Sequence, residues 1–185
     1  MKRFILLFCL SLLLSCKHES KFNLEKDLYQ FSEKIENGDT IEINVDYSAC
    51  MYFAHEVFTF VKQNDTLFLQ THSEINSFGK REQNLPKTFY NIPASDQLSF
   101  ENYFKYLKKE NKPKEDFRSP LVVIYYKNRD QSKSFFDDGL QDKFKKLDKF
   151  ALIREKIYPN DTFFKSPEPP PPPPSRKNKK APKIN

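Results

Sequence analysis

The sequence predicts an α+β fold, a single domain in which a largely antiparallel sheet carries its helices on one face. Segments with strand-like alternation of polar and apolar residues follow one another with short connections, as in antiparallel sheets. Amphipathic helical segments stand before, between and after these runs of strands, an order typical of α+β domains. Because the 185 residues include 19 Phe and no Trp, the core is predicted to be built on phenylalanine.

Residues 1–15 are predicted to be a signal peptide that leaves the chain. Lys2 and Arg3 precede an apolar run, residues 4–14. This run is shorter than the roughly 20 apolar residues of a membrane-spanning helix, and its charged start is typical of a secretory signal.

The end of this segment, Leu13-Leu14-Ser15-Cys16, resembles the lipobox of bacterial lipoproteins. The resemblance implies cleavage before Cys16 and its acylation with chains such as palmitate, which anchor a protein without a transmembrane helix. An ordinary secreted protein is the alternative, although the large Leu13 suits ordinary cleavage poorly. Because Lys17 is not the Asp linked to inner-membrane retention, the resemblance implies the outer membrane of a Gram-negative bacterium, facing either the periplasm or the cell surface.

The mature chain is predicted to consist of a lipidated tether (16–21), a globular domain (22–164) and a tail (165–185). The whole chain carries a formal charge of +6, of which the signal contributes +2 and the tail +5, leaving −1 for residues 16–164. A nearly neutral domain does not indicate a nucleic-acid partner. The layout resembles that of small uncharacterised envelope lipoproteins, a class that implies no particular activity.

The first predicted helix is capped by Asn23 and ends at Gly38, where glycine favours the left-handed conformation. Its apolar residues recur with helical spacing: Leu24, Leu28, Phe31 and Ile35. A half-buried strand is predicted over residues 40–47, which alternate between polar and apolar side chains.

A hairpin is predicted from residues 53–62 and 67–75, with Asn64-Asp65 as its two-residue turn. One face is then apolar, with Phe58, Phe60, Leu67 and Leu69. On the other face, His55 lies opposite Glu74 with His72 diagonal to it, a set that could bind zinc. The alternative is an ordinary solvated polar face, and a change of one residue in turn length would scatter the three side chains.

Residues 76–84 are predicted to form a polar loop and residues 87–92 a short strand ended by Pro93. Ser95-Asp96 then begins a second helix with Phe100, Tyr103, Phe104 and Leu107 on its apolar side. Residues 121–126 are predicted to form a central strand buried on both faces, because they are continuously apolar and rich in β-branched residues.

Residues 132–136 are predicted to pair back onto this strand before a third helix begins. The apolar residues assigned to that helix are Leu140, Phe144, Leu147, Phe150, Ala151 and Ile153. Asp137-Asp138 is explained by its position, because carboxylates stabilise the free N–H groups of a helix start.

Cys50 is the one cysteine expected to remain a free thiol in the mature chain, so no internal disulfide is possible. Residues 48–53 resemble an apolar strand, in which a cysteine is expected to be buried as a small hydrophobic residue. A catalytic thiol assisted by the nearby His55 is the alternative.

The tail contains six consecutive prolines, Pro169 to Pro174, which favour a stiff polyproline II rod of roughly 20 Å. Its basic end is expected to be disordered. The candidate contact residues are Arg176, Lys177, Lys179, Lys180 and Lys183. Their charge favours an envelope protein or an anionic cell-wall polymer as partner; a disordered terminus without a partner is the alternative.

These observations predict a non-catalytic binding or interaction module that is anchored to the membrane through Cys16. The chain has no phosphate-binding glycine loop and no nucleophile motif of the known hydrolases, and no cofactor is expected. The alternative is a metal-dependent envelope hydrolase that uses His55, His72 and Glu74.

Overall fold

The computed structural model of the protein describes residues 21–77, 79–110 and 119–164. These residues contain one antiparallel sheet of six strands, in the spatial order β4-β3-β2-β1-β5-β6. The strands are β1 (Thr40–Asp46), β2 (Ala54–Gln63), β3 (Thr66–Asn76), β4 (Lys80–Phe89), β5 (Val122–Tyr126) and β6 (Gln131–Phe135).

The helices pack against one face of this sheet. They are α1 (Leu24–Asp27), a 3-10 helix (Leu28–Gln30), α2 (Phe31–Lys34), α3 (Phe100–Glu110) and α4 (Leu140–Ile157). The predicted α+β class, with a single largely antiparallel sheet, is therefore confirmed.

The first predicted helix begins where expected but is not continuous. The Asn23 side chain accepts hydrogen bonds from two N–H groups of α1, each at 3.1 Å. A 3-10 turn then separates α1 from α2, and the Ser32 N–H of α2 donates to the Glu101 carboxylate of α3 at 3.0 Å. Because α3 satisfies this N–H, the interruption leaves no open donor at that position.

β1 and the β2–β3 hairpin have the predicted alternation and register. Ile41, Ile43 and Val45 of β1 are buried, while the residues between them are only half-buried. The turn residues Asn64 and Asp65 have φ values of 49° and 59°, as a tight two-residue hairpin turn requires. The predicted turn length is therefore confirmed. The face of the sheet on which each side chain of the hairpin lies is confirmed with it.

The core is aromatic, as the composition predicts. Phe60 of β2 lies at its centre, with ring-centroid distances of 5.1 Å to Phe31, 5.0 Å to Tyr90 and 5.2 Å to Phe100. These pairs meet edge to face, the arrangement that the charge distribution of aromatic rings favours.

α4 and the segment after it cross the sheet from one strand to the next. Lys143 Nζ donates to Asp46 at the end of β1, and Arg154 Nε donates to Glu56 of β2. Beyond the helix, the Tyr158 hydroxyl bonds to Thr71 of β3, and Gln83 of β4 donates to Asp161. Residues 140–161 therefore link four neighbouring strands.

The polar loop predicted over residues 76–84 is wrong, because β4 runs from Lys80 to Phe89. Within the described sheet, β4 is an edge strand and most of its side chains are exposed. Edge strands tolerate charged residues and proline such as Pro86, which discourage pairing with other chains. A polar edge strand therefore resembles a loop in composition.

Burial of β5 on both faces is also wrong. Val122, Ile124 and Tyr126 are buried, but Tyr125 is 36% exposed and Val123 only half-buried. β5 lies between β1 and β6, and its other face is not covered by the described helices.

The predicted apolar face of α4 is partly wrong. Leu140, Phe144 and Ala151 are exposed, whereas Leu147, Phe150 and Ile153 are buried as expected. Three basic residues are buried on this helix instead: Lys143, Lys146 and Arg154. Each has a carboxylate partner, which compensates for the removal of its charge from water.

Candidate functional site

The β2–β3 hairpin carries a different group of polar side chains on each face of the sheet. In its register His55 pairs with Glu74, Val57 with His72, and Glu56 with Ser73. Adjacent residues of a strand point to opposite faces. His55, His72 and Glu74 therefore form an outer cluster, away from the helices. Glu56 and Ser73 point inward, toward α4.

The outer cluster has the geometry that the sequence predicts. His55 Nε2 lies 3.4 Å from Glu74 Oε2, and the rings of His55 and His72 are 6.5 Å apart at their centroids. Taking one ligand atom from each residue, the three atoms lie within 4.8 Å of one another. Solvent reaches the cluster, since 49% of the His55 side chain and 20% of the Glu74 side chain are exposed.

β4 supplies further polar groups beside the outer cluster. His72 Nδ1 is hydrogen-bonded to the Asn84 side-chain oxygen at 2.8 Å. Lys80 Nζ lies 3.7 Å from Glu74 and 2.5 Å from Glu82, which pairs with Glu74 in the register. The Glu82 carboxylate raises the pKa of Lys80, so this neighbour of the cluster is an ammonium ion.

The inner face holds a network that the sequence did not predict, centred on Glu56, which is completely buried. Its carboxylate accepts a hydrogen bond from the Ser73 hydroxyl at 2.6 Å and one from the Tyr47 hydroxyl at 2.9 Å. Arg154 Nε lies 3.0 Å from each of the two carboxylate oxygens. We call Glu56, Ser73, Tyr47, Arg154 and Asp161 the inner network.

Arg154 connects this network to the last described residues. Its guanidinium is paired with the Asp161 carboxylate and lies 4.9 Å from the ring centroid of Phe164. The Phe164 ring stacks on Tyr47 at 4.7 Å. A cavity of about 230 Å³ lies at this place, and its lining includes Tyr47, Arg154, Tyr158 and Phe164. Residue 164 is therefore packed against the end of the sheet.

Burial and pairing act in opposite senses on the ionisable groups of the inner network. Burial raises the pKa of Glu56, although Arg154 and the Ser73 and Tyr47 hydroxyls oppose that shift. Burial alone would lower the pKa of Arg154, but Glu56 and Asp161 outweigh it and raise that pKa. The pKa of Asp161 is lowered: burial would raise it, and the bonds from Arg154 and Phe163 N–H prevail. These groups mainly hold one another in place.

The position of Glu56 in the strand alternation of β2 is the sequence signal that could have indicated the inner network. Glu56 occupies the same strand face as Ala54, Phe58 and Phe60, all of which are buried. A carboxylate in phase with a core face needs hydrogen-bond donors or a cation as buried partners. The sequence contains 31 Lys and Arg residues, so it does not by itself identify Arg154 as that partner.

The prediction that Cys50 is buried is wrong. Cys50 is exposed and has a φ of 52°, in a turn closed by pairing between Ala49 and Tyr52. The Ser48 side chain accepts a hydrogen bond from the Ala54 N–H at 3.2 Å, which helps to hold this turn at the start of β2. Tyr52 and Phe53 therefore do not continue a strand from Ala49, despite their strand-like composition.

Cys16 and the tail contact candidates Arg176, Lys177, Lys179, Lys180 and Lys183 lie outside the described residues. In the part of the chain that the structure describes, no helix has both the length and the apolar character needed to cross a membrane.

Comparison of the chain with protein-family models, with curated proteins and with solved structures finds no match. The functional assignment therefore depends on the residues and their geometry.

Proposed function

We propose that the protein is a lipid-anchored, non-catalytic binding module of a Gram-negative cell envelope. On this proposal Cys16 holds it to the outer membrane, and the tail binds an envelope protein or an anionic cell-wall polymer. The lipobox-like segment Leu13-Leu14-Ser15-Cys16 supports the anchor. The excess of basic residues in the tail supports an anionic partner.

The observation that carries the proposal is the separation of the two ends of the described domain. The Lys21 N–H donates to Glu36 at 3.3 Å, and the Glu36 N–H donates to Asp39, just before β1. Phe164 stacks on Tyr47, just after β1. β1 has seven residues, so these two places lie roughly 20 Å apart along the strand.

This separation suits a protein that binds two different surfaces. Lys21 is the last residue of the predicted tether and the tail follows Phe164, so the anchor and the tail would leave the domain from opposite ends of β1. Phe164 is the residue just before the tail, and its contacts with Tyr47 and Arg154 hold it against the domain. A weak contact made by the tail adds avidity to the membrane anchor when both can be made at the same time.

The decisive experiment is crosslinking in cells followed by mass spectrometry. Three forms are compared: the full chain, a chain truncated after Phe164, and a full-length chain with glutamine at the five tail contact positions. The last form is the matched control, because it keeps the length and the prolines and removes only charge. We expect a specific envelope partner with the full chain, and its loss with both other forms.

Capture of the same partner by the truncated chain would overturn the role of the tail and assign recognition to the domain. Loss on truncation but retention by the glutamine form would assign recognition to the proline run and contradict the electrostatic part. If no form captures a specific partner, the proposal of an interaction module fails.

The anchor has its own test. Cys16→Ser should abolish acylation, which is detected by mass, and should release the protein from the membrane fraction. Membrane retention by Cys16→Ser with no change in mass would contradict the lipid anchor.

The alternative function, a metal-dependent hydrolase, is supported by one observation, the close approach of His55, His72 and Glu74. It requires metal-dependent hydrolysis by the purified chain that is lost in both histidine variants.

A further inference from the structure

We propose that the outer cluster is a zinc-binding site to which His55, His72 and Glu74 each contribute one ligand. The proposal needs neither the anchor nor the tail, so it stands apart from the envelope function. Two imidazoles and one carboxylate form a known ligand set of zinc sites that leave the fourth position open to water or to another molecule.

The distances suit a zinc ion. With Zn–N and Zn–O distances of about 2.0–2.2 Å and tetrahedral angles, two ligand atoms lie roughly 3.3–3.5 Å apart. His55 Nε2 and Glu74 Oε2 already have this spacing, at 3.4 Å. The remaining ligand distances are no longer than 4.8 Å, so rotation of the half-exposed side chains can close the site without moving the strands.

The sheet holds the three positions in place. His55 and Glu74 are directly paired between β2 and β3, and His72 lies two residues from Glu74 on the same face. β3 is an interior strand of the described sheet, flanked by β2 and β4. Ligands on paired strands are preorganised, because binding does not have to order the backbone.

Asn84 gives His72 the second partner that metal-binding histidines usually have. A side-chain amide oxygen can only accept, so the 2.8 Å bond to Asn84 places the proton on His72 Nδ1. The lone pair of Nε2 is then available for the ion, and the ring is held in a fixed orientation.

Lys80 opposes a cation at this site. Its ammonium lies 3.7 Å from Glu74, but it is bound more closely by Glu82, and 60% of its side chain is exposed. It can therefore move away toward Glu82 when zinc binds. Removing its charge should strengthen zinc binding, whereas removing a ligand should weaken it.

The test is calorimetric titration of the full mature chain with Zn²⁺ after treatment with a chelator. We expect one equivalent to bind, with affinity at least tenfold weaker in His55→Gln, His72→Gln and Glu74→Gln. Asn84→Ala should weaken binding about tenfold, as loss of an orienting partner does. Lys80→Gln should strengthen it severalfold, a gain that misfolding cannot produce. Mg²⁺ should not compete, because imidazole favours zinc over magnesium.

Two matched controls separate this site from other donors in the chain. His18→Gln changes the one histidine of the sequence that lies outside the cluster, and Cys50→Ser removes an exposed thiol. Both should bind zinc like the unchanged chain. Loss of the bound equivalent in either control, undiminished affinity in the two cluster-histidine variants, or no stoichiometric binding would overturn the proposal. Visible absorption of the Co²⁺-substituted chain should indicate coordination by fewer than six ligands and should be lost in His72→Gln.

Discussion

The outer cluster and the inner network both use side chains of β2 and β3, and their residues on these strands are offset by one position. Glu56 and Ser73 point inward and are fully buried, while their neighbours His55 and Glu74 point outward and reach solvent. Inside, each donor and acceptor that we describe is met by another group of the protein. Outside, the same kinds of side chain remain accessible to a ligand. Burial therefore converts one cluster into a structural network and leaves the other available for binding.

The largest expected effect comes from breaking the inner ion pair. Arg154→Ala leaves the Glu56 carboxylate buried without its cation, and the free energy of unfolding should fall by about 3–5 kcal/mol. Urea denaturation measures this. A double variant, Glu56→Leu with Arg154→Met, should lose less than Arg154→Ala, because it removes the buried Glu56 carboxylate together with its cation. If Arg154→Ala is as stable as the unchanged protein, Glu56 is not held as the structure describes.

A smaller effect is expected from removing one hydrogen bond to the buried carboxylate. Ser73→Ala takes away the 2.6 Å bond to Glu56, and a bond to a charged group is typically worth about 1.5–3 kcal/mol. Ser132→Ala on β6 is the matched control, because that serine is exposed, and its unfolding midpoint in urea should hardly change. Equal losses of stability in the two variants would mean that the buried hydrogen bond from Ser73 to Glu56 does not stabilise the fold.

Acid should weaken the inner network through Asp161. A carboxyl group whose pKa is lowered on folding stabilises the folded state above its ordinary pKa of 3.8, and this contribution is lost as the pH falls further. Glu56 acts in the opposite sense: its pKa is raised above 4.5, so its contribution is greatest at low pH and is lost as the pH rises through the raised value. The net loss should therefore be concentrated below about pH 4.

Asp161→Asn tests this assignment. Its urea midpoint, measured from pH 6 to pH 3, should fall less steeply below pH 3.8 than that of the unchanged protein. A slope that is identical in the two proteins would contradict a role for Asp161 in acid stability. Other carboxyl groups whose pKa values are lowered should contribute to the loss that remains in the variant: Asp46, Glu82, Asp96 and Asp142.

The smallest effect is expected on the outer face. His55→Ala should change the free energy of unfolding by no more than about 0.5 kcal/mol in metal-free buffer, because exposed pairs contribute little. Thermal melts of the unchanged chain and of this variant, each with and without Zn²⁺, measure what the outer cluster contributes once zinc is bound. Zinc should raise the melting temperature of the unchanged chain and leave that of His55→Ala unaltered. A large loss of stability without zinc would show that the outer cluster is structural after all.

The outer cluster was easier to predict than the inner network because its members lie on a single hairpin. A two-residue turn at Asn64-Asp65 determines the register, and alternation along β2 and β3 then assigns each side chain to a face. No information from distant parts of the chain is needed. The same reasoning places Glu56 on the core face but says nothing about what compensates its charge.

Predictions from the local pattern of polar and apolar residues were wrong at segments that are neither fully buried nor fully exposed. β4 is a polar edge strand that resembles a loop, and Phe144 belongs to an apolar stripe that the sheet does not cover. Cys50 lies in a turn whose sequence has the composition of a strand. In each case composition reports what a residue prefers, while burial depends on which element lies against it.

By itself, the sequence determined the strand alternation, the hairpin register, the phenylalanine core and the outer placement of His55, His72 and Glu74. These features depend on backbone periodicity and on turns of a few residues, which nearby residues specify. The tertiary structure alone decided that α4 crosses the sheet, that Arg154 meets Glu56, and that Phe164 packs on Tyr47. Such contacts join residues about a hundred positions apart, so they form only when the whole fold brings the two segments together. For Glu56, the physical reason is that a buried carboxylate is stabilised by the opposite charge of Arg154.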